Sequence, residues 1–148
     1  LPRKNWRTQV NFKISNAITL RTRAELLWYD KDGLNSENGF LFFQDVIYKP
    51  LLSPFSAGIR LQHFNTDGYN SRIYTYENDV PYSFSIPSFF DKGFRYYLNL
   101  GYDISDNISM WVRAARTEYN SINKTGSGLD EIPYGHKTDF RIQIRYIL

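Results

Sequence analysis

The chain has no cysteine, one methionine, two histidines (His63 and His136) and no run of about 18 apolar residues. Without cysteine there is no disulfide framework, thiolate metal site, thiol nucleophile or lipidated cysteine. Without a long apolar run there is no membrane-crossing helix. No 3.6-residue apolar stripe stands out either, so amphipathic helices are not expected. The sequence opens on Leu1-Pro2-Arg3-Lys4 and runs straight into a strand-like pattern, with no signal peptide.

Aromatic residues are abundant. They make up 18% of 148 residues, with 12 Tyr and 11 Phe, although mean hydropathy is negative. That combination suits a wall with one apolar and one wet face. The net charge of +3 says little about partners.

Alternation with period 2 runs through the chain. Trp6, Val10, Phe12 and Ile14 oppose Arg7, Gln9, Asn11 and Lys13. Ile18, Leu20, Ala24 and Trp28 oppose Arg21, Arg23 and Glu25. In the third strand Phe40, Phe42, Val46 and Tyr48 are placed with the apolar set because that turns Asp45 inward. Ala57, Ile59 and Leu61 follow against Arg60, then Phe94 to Tyr102 against Arg95, Tyr97 and Asn99. Ile108, Met110 and Val112 oppose Trp111 and Arg113, and Phe140, Ile142, Ile144 and Tyr146 oppose Arg141, Gln143 and Arg145. The residues around Ser15 and around Ser105 repeat one strand–turn–strand pattern, which suggests equivalent turns on the same side of the sheet.

Short turns alternate with long loops at 31–38, 65–92 and 120–137. This is the habit of an outer-membrane barrel with its long loops outside. On that frame the apolar face sorts its rings to both ends. Trp6, Trp28, Phe40, Phe42, Phe94, Tyr96 and Phe140 fall at the outer end; Phe12, Tyr48, Phe55, Tyr102 and Tyr146 fall at the inner end. Two aromatic girdles around an aliphatic belt match the interface preference of amphipathic rings. The expected fold is all-β: an antiparallel transmembrane barrel, with residues 1–148 supplying seven spanning strands of one barrel domain. Seven is odd and single-chain barrels of this type close with even numbers, so further strands are expected upstream.

The opposite face carries Arg7, Lys13, Arg21, Arg23, Arg60, Arg95, Arg113, Arg141 and Arg145. An arginine facing lipid at mid-depth would cost about 2–4 kcal/mol, so this row faces water or protein. Two readings stand beside each other: partners for carboxylates on other strands or a plug, or a passage for anions or nucleic acid. No catalytic constellation, metal site or cofactor is expected. The two histidines fall at rims or loops, and the acids Asp67, Asp79, Asp130 and Glu131 lack calcium-loop spacing. Segment 65–92 is read as an ordered hairpin, with arms 73–80 and 82–86 bent at Pro81 and Pro87. It is expected to rise above the membrane or fold over the barrel mouth, and Tyr74, Tyr76, Tyr82 and Phe84 are its contact residues. Leu98→Arg is expected to be costly and Asn99→Arg mild.

The stretch 71–87 with its Tyr76-Glu77-Asn78-Asp79-Val80 block, together with Gln44 to Pro50, Lys92 to Leu100 and Gly126 to Ile132, resembles large Bacteroidota outer-membrane proteins. These carry the label helix-hairpin-helix (ComEA-like) domain proteins and have a C-terminal barrel. The resemblance implies an outer-membrane location, with outer-membrane lipid, the barrel-assembly machinery and other envelope proteins as partners. DNA would be reached only through upstream helix-hairpin-helix modules that these residues do not contain. The C-terminus resembles a barrel-assembly signal but ends on Leu148 in place of Phe, with Tyr146 as its aromatic. The expected function is a channel, translocation component or subunit of an envelope complex; the alternative is a non-conducting scaffold whose external loops bind a partner.

Overall fold

A computed structural model describes residues 2–30, 33, 36–120 and 135–148. It contains strands and no helix among these residues. The strands are β1 (Arg3–Lys13), β2 (Ile18–Asp30), β3 (Ser36–Tyr48), β4 (Phe55–Thr66), β5 (Ile73–Tyr74), β6 (Ser88–Phe89), β7 (Lys92–Ser105), β8 (Ile108–Tyr119) and β9 (His136–Tyr146). Seven of them form one antiparallel sheet in the order β1-β2-β3-β4-β7-β8-β9, with β1 and β9 as its edges. The sheet is not closed into a barrel.

The seven strands follow one another in chain order, with β5 and β6 inserted between β4 and β7; connections 14–17, 49–54 and 106–107 lie at one end and 31–35, 67–91 and 120–135 at the other, so the one after β2 is shorter than the 31–38 loop expected. The repeated turn is one device used twice. Ser15 Oγ accepts the amide of Ile18 at 3.1 Å, and Ser105 Oγ accepts that of Ile108 at 3.2 Å. A serine that ties down the backbone three residues on closes the turn without glycine.

The pairing is steeply staggered. The row of Lys13 runs through Thr19, Ile47 and Gly58 to Asn99, six residues short of Ser105, where β7 reaches its own turn. The slide accumulates over the four interstrand steps from β1 to β7. One of the six residues is absorbed by the bulge at Asp103/Ser105. With about 3.3 Å per residue and 4.8 Å per step, the strands incline by about 40–45° to the normal of the sheet's end.

Burial is inverted relative to a soluble sheet. One face leaves Trp6, Val10, Phe12, Phe42, Ile59, Leu61, Phe94, Phe140, Ile142 and Ile144 exposed, several above 50%. The other buries Arg23, Glu25, Asp45, Arg60, Arg95 and Arg113, each at 6% exposure or less.

What covers the charged face is segment 67–91. It was expected to stand above the sheet or across a barrel mouth; it lies instead down the charged face. β5 and β6 make a two-pair ladder (Ile73↔Phe89, Tyr74↔Ser88), and Glu77 bridges Ser85 further along. Pro81 and Pro87 supply no amide donors, which fits so short a ladder. At the base, Glu37 accepts the Ser71 amide at 3.0 Å and the Asn70 side chain at 2.8 Å. Gly39 lets the hairpin come this close, because a Cβ there would collide with the Ser71 carbonyl. Beneath the base, Leu27, Leu41, Phe43, Phe64, Ile73 and Phe89 form the buried apolar cluster, with Tyr29 and Tyr119 against it. Alternation within the hairpin decides which side each residue takes. Ile73, Thr75 and Glu77 are buried against the sheet, whereas Tyr74 and Tyr76 point away.

Candidate functional site: an arginine–carboxylate wall under a hairpin

The period-2 pattern places Arg7, Lys13, Arg21, Arg23, Arg60, Arg95, Arg113, Arg141 and Arg145 on one face, and the registers agree with it. Seven of the nine are held by four carboxylates, each shared between two guanidinium groups, and Asp139 on β9 adds a fifth, 3.5 Å from Arg95. Glu25 takes Arg7 at 2.9 Å and also Arg23. Asp45 takes Arg60 through two bonds of 2.6 and 2.8 Å, with Arg21 at 3.7 Å. Glu77 takes Arg95 through bonds of 2.6 and 2.8 Å, and Arg113 at 2.5 Å. Asp79 pairs with Arg141 and lies 3.7 Å from Arg113. The paired bonds to Arg60 and Arg95 are the fork geometry that suits guanidinium to carboxylate.

The two sources of these acids matter. Glu25 and Asp45 belong to the wall, on β2 and β3. Glu77 and Asp79 belong to the hairpin, and both carboxylates are fully covered. Other hairpin groups extend the same pattern. Thr75 Oγ1 and the Tyr76 carbonyl accept Arg60 at 3.0 and 2.8 Å, and the Asn78 carbonyl accepts Asn99 at 2.8 Å and also Arg113. Aromatic rings fill the gaps between charges, with Arg60 3.7 Å over Phe43 and Arg113 4.3 Å over Tyr97. The arginine row is thus largely tied into ion pairs, and it keeps an excess of positive charge, with seven guanidinium groups against Glu25, Asp45, Glu77, Asp79 and Asp139. Lys13 lies exposed at the short-turn end. Arg145 stacks 5.1 Å over Trp111 and donates to Ser109 at 3.3 Å. Outside the strands, hydrogen bonding to the Tyr74 hydroxyl at 2.8 Å pushes the Arg72 pKa up from its ordinary value.

Below the hairpin tip, towards the short turns, a cavity of about 750 Å³ remains. Gly58, Asn99, Gly101, Trp111 and Arg145 line it from the sheet, and Asn78 to Pro81 line it from the tip. A Cβ at Gly101 would collide with the Ser56 hydroxyl and the Trp111 ring, which lie over it.

The expected girdle residues Trp6, Trp28, Tyr48, Phe55, Tyr96, Tyr102, Phe140 and Tyr146 all lie on the opposite face. Phe12 and Phe140 share one pairing row, through Leu20, Val46, Ile59, Leu98 and Ala114. The inclination separates them: across six strand steps it carries Phe140 up to the level of Trp28 and Phe40, while Phe12 stays level with Tyr48 and Phe55. His63, expected at a rim or in a loop, lies in β4 on the apolar face at the level of the outer rings, between Phe40 and Phe94. Gln44 was missed. Its Oε1 accepts the Thr22 hydroxyl at 2.6 Å and its Nε2 reaches the Asp45 carbonyl at 3.1 Å, so this amide on the apolar face is satisfied internally.

Tyr74, Tyr76, Tyr82 and Phe84 are exposed on the hairpin's free side, and Tyr82 and Phe84 are more than 80% bare. Tyr82 has φ of 62°, a left-handed conformation unusual for a bulky residue. Asn99 corrects an expectation. It anchors the hairpin and accepts from Arg113 at 3.2 Å, so Asn99→Arg is not the mild change that alternation alone suggests. Among the described residues no cluster of His, Cys, Asp or Glu has the makings of a metal site. Asp130 and Glu131 lie outside those residues. No family model, curated protein or solved structure matches the chain.

Because the Glu77 carboxylate holds two buried arginines, Glu77→Gln should lower unfolding free energy by about 3–5 kcal/mol. Tyr76→Phe, one residue along on the free side, should change it little. Denaturant titration of both variants checks this, and equal losses would contradict the assigned orientation of the hairpin.

Proposed function

We propose that this sheet is the wall of an outer-membrane-type β-barrel, with its apolar face on lipid and its charged face in the lumen. The hairpin 67–91 is then an inward-folded constriction. The observation that carries the reading is the inverted burial: charge is buried under the hairpin while aliphatic and aromatic side chains lie bare across the opposite face. Water gives no reason to expose such a face, and a bilayer does.

Two further features support it. Transmembrane barrel strands tilt by about 35–45°, which the stagger reproduces. Strands of 11–14 residues at that tilt rise roughly 25–33 Å, the thickness of a hydrocarbon core. The resemblance to Bacteroidota outer-membrane barrels points the same way.

Within the barrel reading, the function is passage or translocation through a bore narrowed by the hairpin, as a channel or as part of an envelope complex. The hairpin covers Arg23, Arg60, Arg95 and Arg113, so an anion passing along this net-positive wall would meet few uncovered guanidinium groups. A non-conducting scaffold is the second reading, favoured by the bare Tyr82 and Phe84, which offer a partner contact.

Leu98→Arg sets a charge on the lipid side and should cost about 2–4 kcal/mol, with loss from the outer-membrane fraction. Gln9→Arg, exposed on the lumen side of β1, should be tolerated. Equal tolerance, or recovery of the wild-type protein as a folded soluble monomer, would sink the barrel reading. Deleting residues 74–84 should raise single-channel conductance in planar bilayers. If conductance is absent both before and after the deletion, the scaffold reading replaces the channel.

A further inference from the structure

The two edges of the sheet show what must join them. β1 and β9 carry charged residues but lack the backbone devices that stop an edge strand from pairing, and at 11 residues each they are not short. Neither contains a proline or a bulge, and the apolar face reaches both, with Trp6, Val10 and Phe12 on β1 and Phe140, Ile142, Ile144 and Tyr146 on β9. An edge of this kind is a template for another strand.

Direction limits which strands can fill it. β1 and β9 are the first and seventh of a strictly antiparallel series, so both run from the long-loop end to the short-turn end. Joined directly to each other, or to a second copy with its loops on the same side, they would meet in parallel. Antiparallel pairing at both seams needs an odd number of intervening strands.

Charge limits their composition. The charged-face positions of β1 are Arg3, Asn5, Arg7, Gln9, Asn11 and Lys13, with no carboxylate. On β9 they are Lys137, Asp139, Arg141, Gln143 and Arg145, and Asp139 is already drawn to Arg95 at 3.5 Å. Arg145 has no carboxylate partner among the described residues, and its Nε is buried without a hydrogen bond.

We infer that β1 and β9 are joined by an odd-numbered block of further antiparallel strands, with carboxylates on its lumen side facing Lys13 and Arg145. The block makes the total even, which is the closing condition for such barrels. This rests on the barrel reading and adds the number, direction and charge of the missing wall.

Hydrogen exchange on the protein in its own membrane extract tests it, set against the same 148-residue chain refolded alone in detergent micelles. In the extract, the edge amides of β1 and β9 that point away from β2 and β8 should exchange as slowly as those of β3 and β4. In the isolated chain that protection should be lost. Lys13→Asp combined with Arg145→Asp should reduce the protection in the extract, because it sets like charges against the block. Freely exchanging edge amides in the extract would overturn the inference. So would an isolated chain that protects both edges as a dimer by native mass, since a second copy would then be the partner. Absence of the protein from the membrane extract is a different failure: it removes the barrel reading itself.

Discussion

An arginine withdrawn from water needs a carboxylate within reach. Seven of the arginines on one face of this sheet are held by carboxylates, and the wall itself supplies them with Glu25, Asp45 and Asp139. Removing one partner of a buried pair costs about 3–5 kcal/mol, whereas the intact pair contributes little to net stability. The network therefore acts chiefly as a constraint. It requires Glu77 and Asp79 to lie on the wall between β7, β8 and β9, and so it fixes where the hairpin goes. The apolar cluster at the hairpin base, the clamp from Glu37 and the missing side chain at Gly39 let the chain reach that position.

The same constraint sets what the other face can be. The hairpin covers the centre of the charged side and leaves water only its margins, at Arg7, Lys13 and Arg141. The aliphatic and aromatic side is left as the outer surface. The polar groups on that side pair with one another, Thr22 with Gln44 in the middle of the sheet and Arg116 and Tyr96 with Glu118 towards the long-loop end. The steep stagger completes the geometry by bringing rings from distant pairing rows to common levels.

Much of this was legible in the sequence because a strand has period 2 and a register error flips every side chain. Alternation sufficed for the seven strands, the two faces, the orientation of Asp45 and the equivalence of the Ser15 and Ser105 turns. The course of segment 67–91 was not legible. Glu77 and Asp79 look like ordinary loop acids, and only the positions of Arg95, Arg113 and Arg141 in space turn them into wall ligands. Asn99 was misjudged for the same reason: alternation gives its face but not the hairpin lying on it. His63 and Gln44 are a different case. Both follow the phase of their strands, and a strict count from Ile59 or Phe42 would have placed them on the apolar face.

The three tryptophans give the most direct measurement of the central claim, the assignment of the two faces to lipid and lumen. Trp6 and Trp28 lie on the apolar face at 52% and 45% exposure, whereas Trp111 lies on the charged face above Gly101. Variants retaining one tryptophan each, reconstituted in vesicles containing brominated acyl chains, should show strong quenching for Trp6 and Trp28 and little for Trp111. Quenching of Trp111 with Trp6 and Trp28 unaffected, or no quenching of any of the three, would contradict the account.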